Sequence, residues 1–174
     1  MGTRRRALSF TVIELVVTMT VMAIVAAMTI PKLAGLSTRR LASASWQLAT
    51  HIRFARDLAM ATSRRTWVDF NVSGDSYSIY IEDPETPGRS ARISATHPET
   101  GGAFDVTLNS GDFDGVEVDA ASFGGRSEVE FDWLGQPYNG MGALLADDGT
   151  VALGSGSTIR FVRVVAQAGT VQEE

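Results

Sequence analysis

The stretch Ser9–Leu33, SFTVIELVVTMTVMAIVAAMTIPKL, places one acidic side chain, Glu14, near the start of a long apolar run. From Phe10 to Ile30 there are 21 residues with a single charge. At about 1.5 Å of rise per residue, a helix of that length matches the roughly 30 Å hydrocarbon core of a bilayer. The sequence therefore predicts a transmembrane helix over residues 10–31.

Three consecutive arginines, Arg4, Arg5 and Arg6, precede this run. Basic residues flanking a span stay on the cytoplasmic side, so they predict a cytoplasmic N-terminus and an extracytoplasmic C-terminal domain. A cleaved secretory signal is the alternative, but it needs a small-residue cut site directly after the apolar core. The A-x-A pattern here, Ala42-Ser43-Ala44, lies well beyond Pro31.

Glu14 is an ionisable group inside a predicted membrane span. A carboxylate at mid-membrane costs about 2.5–3.5 kcal/mol on insertion scales, and less near the interface. No basic side chain lies within helical reach of it in the span. Its partner must come from another chain, from a lipid headgroup, or from a newly made α-amine.

These residues resemble the N-terminal signal of type IV pilins and type II secretion pseudopilins. Phe10, Thr11, Ile13, Glu14 and Leu15 match the family pattern as they stand, whereas Ser9 replaces the family's usual glycine. The resemblance implies that a prepilin peptidase removes leader 1–9 by cutting between Ser9 and Phe10, and then N-methylates Phe10.

The same resemblance implies roles for two residues of the mature helix. In the family, the glutamate equivalent to Glu14 pairs with the N-terminal amine of a neighbouring subunit during assembly. Pro31 falls where many members have a helix-kinking proline.

Residues 32–63 have the pattern of an amphipathic continuation of the helix. Apolar residues recur every three or four positions. They are Leu41, Ala44, Leu48, Ile52, Ala55 and Ala59. The helix is therefore expected to run over residues 10–63 and to pack this stripe against a sheet.

Residues 64–174 are predicted to form a β-rich globular domain. Alternation over 66–72 and 77–81 around the turn SGDS predicts a β-hairpin, and the segment 83–102 has the composition of a long surface loop. Further strands are expected near 104–108, 115–120, 127–133, 150–153, 158–166 and 169–172. The fold class is α+β, a long N-terminal helix packed on a mainly antiparallel sheet.

This half also resembles the globular domain of the H-type minor pseudopilins, the GspH/FimT family. The features that carry the resemblance are the hairpin after the helix, the F-x-x-x-G of Phe131 and Gly135, and the closing segment TIRFVRVVAQAGTV. The resemblance implies a pilin-like fold and a subunit that meets other pilins or pseudopilins and an inner-membrane assembly platform.

Catalytic and metal-binding signals are weak. The sequence has two histidines and no cysteine, and it contains no G-x-S-x-G, H-E-x-x-H or P-loop motif, so no enzyme activity and no cofactor are expected. His51 is expected at the helix surface or boundary and His97 in solvent. Asp112 and Asp114 are weak calcium candidates, because the surrounding residues do not have EF-hand spacing.

The charge distribution argues against nucleic acid as the main partner. Residues 1–65 hold ten basic side chains against two acidic ones, whereas residues 66–174 hold five against eighteen. Phosphate binding needs clustered basic groups on the exposed part, where the pair Arg64 and Arg65 is the one candidate.

The sequence thus predicts a structural subunit of a type II secretion pseudopilus or type IV pilus, held in the bacterial inner membrane. A DNA-binding minor pilin for DNA uptake and a singly anchored envelope protein outside any filament are the alternatives.

Overall fold

The computed structural model describes residues 11–174, and for residues 27–35 it describes the backbone alone. The chain divides into two compact units, Met1–Leu36 and Ser37–Glu174. One helix, α1, runs from Val12 to Thr62. Its first part belongs to the first unit, and its second part is the first element of the second unit.

Helix α1 ends where the backbone turns left-handed. Ser63 has φ 55°, and the amide of Arg64 donates a hydrogen bond back to the carbonyl of Ala59 at 3.3 Å. A left-handed residue after the last turn is the usual way for a helix to end and satisfy its free carbonyls. The observed helix agrees with the predicted range 10–63 to within two residues at the described ends.

The apolar stripe predicted within residues 37–62 is confirmed. Each of its members is fully buried, and they are Leu41, Ala44, Leu48, Ile52, Ala55 and Ala59. Three of the six are alanines, so the sheets can approach the helix closely. Burying each larger side chain contributes about 1.5–3 kcal/mol.

Ten strands follow the helix. They are β1 (Thr66–Asn71), β2 (Ser76–Glu82), β3 (Arg92–Ser94), β4 (Asp105–Thr107), β5 (Glu117–Ser122), β6 (Glu128–Phe131), β7 (Pro137–Asn139), β8 (Gly149–Ser155), β9 (Thr158–Val164) and β10 (Val171–Glu173). All of their pairings are antiparallel, which confirms the predicted α+β class.

The strands form two sheets. The first has the order β3-β2-β1-β6-β7, with β4 also paired to β2, and the second has the order β10-β9-β8-β5. In the second sheet the β5–β8 register shifts between Val118 and Ala120, which marks a bulge at Asp119. The predicted hairpin is the β1–β2 pair.

One hydrophobic core joins the helix to both sheets. From the first sheet it takes residues such as Phe70 and Phe131, and from the second Leu153 and Val162, all in one cluster with the helix stripe. Along β1 and β6 these inward residues alternate with Trp67 and Glu130, which lie on the opposite face of the sheet.

The structure corrects two strand assignments. The segment 83–102, predicted as a continuous loop, contains β3, and residues 137–139 form β7, which had no predicted counterpart. Both strands are three residues long, too short for an alternating pattern to be read. They form the two ends of the first sheet, where pairing with one neighbour is sufficient.

Candidate functional site

The first turn of α1 is capped by Thr11. Its hydroxyl oxygen accepts a hydrogen bond from the backbone N–H of Glu14 at 3.3 Å, and its carbonyl accepts one from Leu15 at 3.2 Å. The sequence T-x-x-E is the capping-box pattern, in which the first residue satisfies a free amide of the helix N-terminus. The carboxylate of Glu14 also lies in the first turn, where the helix dipole favours negative charge.

The cap of Thr11 on the backbone N–H of Glu14 had no predicted counterpart, although the pattern Thr11-x-x-Glu14 indicates it. The Thr11 hydroxyl makes this contact with the backbone, so the carboxylate of Glu14 is not needed for it. The Glu14 side chain contributes its charge at the helix N-terminus.

The helix surface that follows Glu14 is apolar on every side. All of residues 11–26 are exposed, including Val12 at 81% and Met22 at 73%. A helix that is hydrophobic all round is found buried in a protein or a membrane, because water-facing apolar surface is unfavourable. Within the part of the chain that the structure describes, no helix is both long and apolar enough to cross a membrane.

Several predicted site residues fall outside the described residues. They are the topology arginines Arg4, Arg5 and Arg6 and the two residues of the cut, Ser9 and Phe10. The backbone at Pro31 is helical within α1, but its side chain is not described, and the kink there stays a prediction.

The F-x-x-x-G motif is a tight turn between β6 and β7. The Oδ1 atom of Asp132 accepts hydrogen bonds from the amides of Leu134 and Gln136, both at 2.9 Å. The amide of Gly135 donates to the carbonyl of Asp132 at 2.9 Å. A carboxylate that bonds nearby amides in this way fixes the turn, so Phe131 enters the core while residues 133–134 stay at the surface.

Gly135 lies against α1 and against the β9–β10 turn. Its carbonyl accepts a hydrogen bond from Arg56 Nε at 3.1 Å, and a Cβ atom on Gly169 would overlap the same carbonyl oxygen. Gly135 and Gly169 both have positive φ, at 75° and 63°. Gly135 of the F-x-x-x-G motif and Gly169 of the closing segment thus allow the β6–β7 and β9–β10 turns to meet at the side chain of Arg56.

The outer face of the first sheet holds a buried carboxylate. Glu130 is 1% exposed and pairs with Arg65 at 3.3 Å and with Arg89, while its Oε2 accepts a hydrogen bond from the Trp67 indole at 3.0 Å. The alternating pattern of β6 predicts an exposed side chain at this position. Only the folding of residues 83–91 over the sheet brings Arg89 to it, and no local signal in the sequence indicates that contact.

The two histidines, which the sequence could not place together, meet beside Phe104. The ring of His51 lies 5.7 Å from that of His97, and each lies edge-on or tilted against Phe104, at 4.9 and 4.5 Å. His51 Nδ1 is 2.8 Å from the hydroxyl of Tyr77. The expectation that His97 lies free in solvent is wrong, because it is half-buried in this cluster.

Burial, together with the nearby His97, lowers the pKa of His51 to about 4, and the carboxylate of Glu99 opposes this shift. Burial also raises the pKa of Tyr77, so its hydroxyl stays protonated. The cluster therefore favours a neutral His51.

Stability is expected to fall as the pH drops below the ordinary histidine pKa of about 6.5. Because the folded-state pKa of His51 is depressed to about 4, the unfolded chain binds an extra proton in the interval between these values. The contribution of neutral His51 is complete above that interval and is lost through it. Urea unfolding midpoints measured from about pH 7 to about pH 4.5 test this, with His51→Gln expected to have the weaker pH dependence.

A matched variant separates this effect from general acid titration. His97→Gln removes the neighbouring imidazole that helps to lower the pKa of His51, so its pH dependence should lie between those of the wild type and His51→Gln. Equal pH dependence in all three chains would contradict the assignment to His51.

The remaining candidate residues are engaged in other contacts. Asp114 forms a 3.7 Å ion pair with Arg40, and Asp112 lies in the short 3-10 turn Gly111–Phe113. Arg64 donates to the carbonyl of Glu82 at 3.1 Å, while Arg65 pairs with Glu130. Among the described residues, no group of three or more histidine, aspartate or glutamate side chains is arranged to hold a metal ion.

No protein-family model matches the sequence, and no curated protein is similar to it at a significant level. The fold, however, is similar to that of the minor pseudopilin EpsH from the type 2 secretion system of Vibrio cholerae, with a TM-score of 0.56 at 11% sequence identity. The match covers 78% of this chain and 96% of that one. The chain has a pseudopilin-like fold.

The pseudopilin fold accounts for the main features of this chain. It combines an N-terminal helix with antiparallel sheets packed on the helix's buried stripe. At this level of sequence identity the likeness is one of fold alone.

Proposed function

We propose that this chain is a minor pilin or pseudopilin, a structural subunit of a type II secretion pseudopilus or a type IV pilus. The similarity of its fold to EpsH carries the proposal. The exposed apolar surface over residues 11–26 supports it, because a filament subunit needs such a surface for the membrane before assembly and for other subunits afterwards.

Before assembly, residues 10–31 anchor the chain in the bacterial inner membrane, where they contact membrane lipid. Its N-terminus is cytoplasmic and its β-rich domain is periplasmic. Arg4, Arg5 and Arg6 set this orientation. Prepilin peptidase then removes the leader at the Ser9–Phe10 bond and methylates the new amine, and the assembly platform inserts the mature subunit into the filament for protein secretion or pilus growth.

Glu14 is the residue that joins one subunit to the next. The cut at Phe10 creates a cationic amine, and Glu14 of a neighbouring subunit accepts that charge. In an apolar surrounding each charge is tolerable only when it is paired, so the pair fixes the position of one helix relative to another. The capping contact with Thr11 holds the glutamate in the first turn beside this interface.

Mass spectrometry of the native N-terminus tests the proposal. The expected result is a mature chain that begins at N-methylated Phe10, because the residues after the cut resemble the family pattern although Ser9 replaces its glycine. In cells that lack prepilin peptidase the chain should keep its leader. Ser9→Gly should be processed at least as completely as the wild type.

Two results would favour one of the alternative functions. An N-terminus uncut in cells with active peptidase would instead support a singly anchored envelope protein. Salt-dependent binding of DNA by the full chain, lost in an Arg64→Gln/Arg65→Gln variant, would support a DNA-binding minor pilin.

A further inference from the structure

A cavity of about 280 Å³ opens on the outer face of the first sheet, next to the buried Glu130. It belongs entirely to the unit Ser37–Glu174. Its main lining side chains are Arg65, Arg89, Glu130, Asp132, Trp133 and Tyr138. Nothing in the proposed assembly of the N-terminal helix uses these residues.

The carboxylates of this cavity are already occupied, whereas its guanidinium groups are partly free. Glu130 is 1% exposed and is bonded by Arg65, Arg89 and the Trp67 indole, while the two arginine side chains each remain 33% exposed. Each guanidinium has five N–H donors in a fixed fork, and one carboxylate cannot use them all. The cavity therefore offers positive N–H donors to a ligand.

Asp132, the other acid of the cavity, is hydrogen-bonded to its own turn and to Tyr138. Its Oδ1 accepts two backbone N–H groups of the β6–β7 turn, its Oδ2 is 3.4 Å from the Tyr138 hydroxyl, and the residue is 5% exposed. The site is also shaped to hold Arg89, because a Cβ atom at Gly142 would overlap its guanidinium. An acceptor ligand is thus favoured in a domain that is otherwise strongly acidic.

The rim of the cavity is apolar and exposed. Four large hydrophobic side chains between residues 133 and 144 face solvent. They are Trp133 at 52%, Leu134 at 62%, Met141 at 69% and Leu144 at 52%. Trp133 also lines the cavity, so the apolar rim begins at the cavity itself. Tryptophan, methionine and arginine are the residue types enriched where proteins bind one another.

We propose that this cavity and its rim bind an acidic segment of a partner protein, in which a carboxylate side chain stands beside an apolar one. The carboxylate accepts hydrogen bonds from Arg65 and Arg89, and the apolar neighbour packs on Trp133. Charge complementarity selects this partner, because charge-assisted bonds to guanidinium groups are stronger than neutral ones. The inference stands whether or not the chain enters a filament.

The three tryptophans of the chain provide the test. Trp133 is on the rim, Trp67 is bonded to Glu130 below the cavity, and Trp46 is 61% exposed on α1 as an internal control. The full chain, labelled with nitrogen-15 in maltoside micelles, is titrated with the peptide acetyl-Ala-Glu-Leu-Ala-amide. The Trp133 and Trp67 indole signals should shift and saturate, while the Trp46 signal stays in place.

Three further probes separate this site from simpler alternatives. The matched peptide with glutamine in place of glutamate should bind about tenfold more weakly, the difference between a charged and a neutral hydrogen bond. Sodium acetate should shift Trp133 only at much higher concentration. Equal response to the glutamine peptide or to acetate, or equal shifts of all three tryptophans, would overturn the proposal.

Variants assign the binding to the named groups. Glu130→Gln releases the two arginines and should tighten binding of the acidic peptide, whereas adding Arg89→Gln to that change should weaken it below the wild type. Trp133→Ala, at an exposed position that the fold does not need, should also weaken binding. Trp46→Ala should leave it unchanged. Unchanged affinity in both Glu130→Gln and Glu130→Gln/Arg89→Gln would exclude the guanidinium groups as the ligand site.

Discussion

A Glu14→Ala chain is expected to be made and processed like the wild type but to fall out of filaments. If the carboxylate pairs with the Phe10 amine of a neighbour, its removal leaves that amine unpaired in an apolar contact. Breaking one side of a buried pair costs about 3–5 kcal/mol, which corresponds to at least about a hundredfold loss of incorporation. The measurement is the fraction of the chain found in isolated filaments relative to the membrane, by quantitative immunoblot.

Two matched variants separate the charge of Glu14 from its place in the capped turn. Glu14→Gln keeps the size of the side chain and removes the charge, so it should behave like Glu14→Ala. Thr11→Ala removes the observed cap and should cost about 1 kcal/mol of helix stability, with a much smaller effect on incorporation. Wild-type incorporation of Glu14→Gln would refute pairing by charge.

Gly169→Ala should be the most damaging small substitution in the unit Ser37–Glu174. Its φ of 63° strains any side chain, and a Cβ atom there would overlap the carbonyl oxygen of Gly135 and lie 3.1 Å from Arg56 Nε. Strain of about 1–2 kcal/mol adds to about 1–3 kcal/mol for overpacking against backbone. Urea unfolding of the full chain in micelles, followed by tryptophan fluorescence, measures the loss.

Gly156→Ala is the control for this substitution. Gly156 has φ 62°, nearly the same as Gly169, but a Cβ atom there would meet nothing within 4 Å. The free energy of unfolding of Gly156→Ala should therefore fall by only about 1–2 kcal/mol, the cost of backbone strain. Equal losses at the two positions would mean that the approach of the β9–β10 turn to Gly135 does not limit the fold.

The sequence was most informative where a pattern is local and repeated. The stripe from Leu41 to Ala59 is predicted residue by residue, because a helix that packs on a sheet must repeat its apolar positions every three or four residues. The hairpin of β1 and β2 is equally readable, since strands of six and seven residues are long enough to show alternation. The pattern Thr11-x-x-Glu14 was present as well, and its cap could have been predicted from it.

Contacts between distant segments could not be predicted in the same way. The burial of Glu130 depends on Arg89, 41 positions earlier, and the ring contact of His51 with His97 spans 46 positions. The division into two sheets likewise depends on which strands become neighbours, and strand alternation is the same in either arrangement. The sequence shows which residues are present, but not which distant residues come into contact.

The bond between Arg53 and the last strand has a consequence for synthesis. The guanidinium of Arg53 donates to the carbonyl of Val171 at 3.0 Å across 118 positions, and its ion pair with Glu173 spans a similar distance. Contacts so far apart give a high contact order, which slows folding. The helix, made first, cannot complete its contacts until β10 leaves the ribosome. We expect the nascent domain to depend on chaperones over that interval, and truncations before Val171 to be degraded.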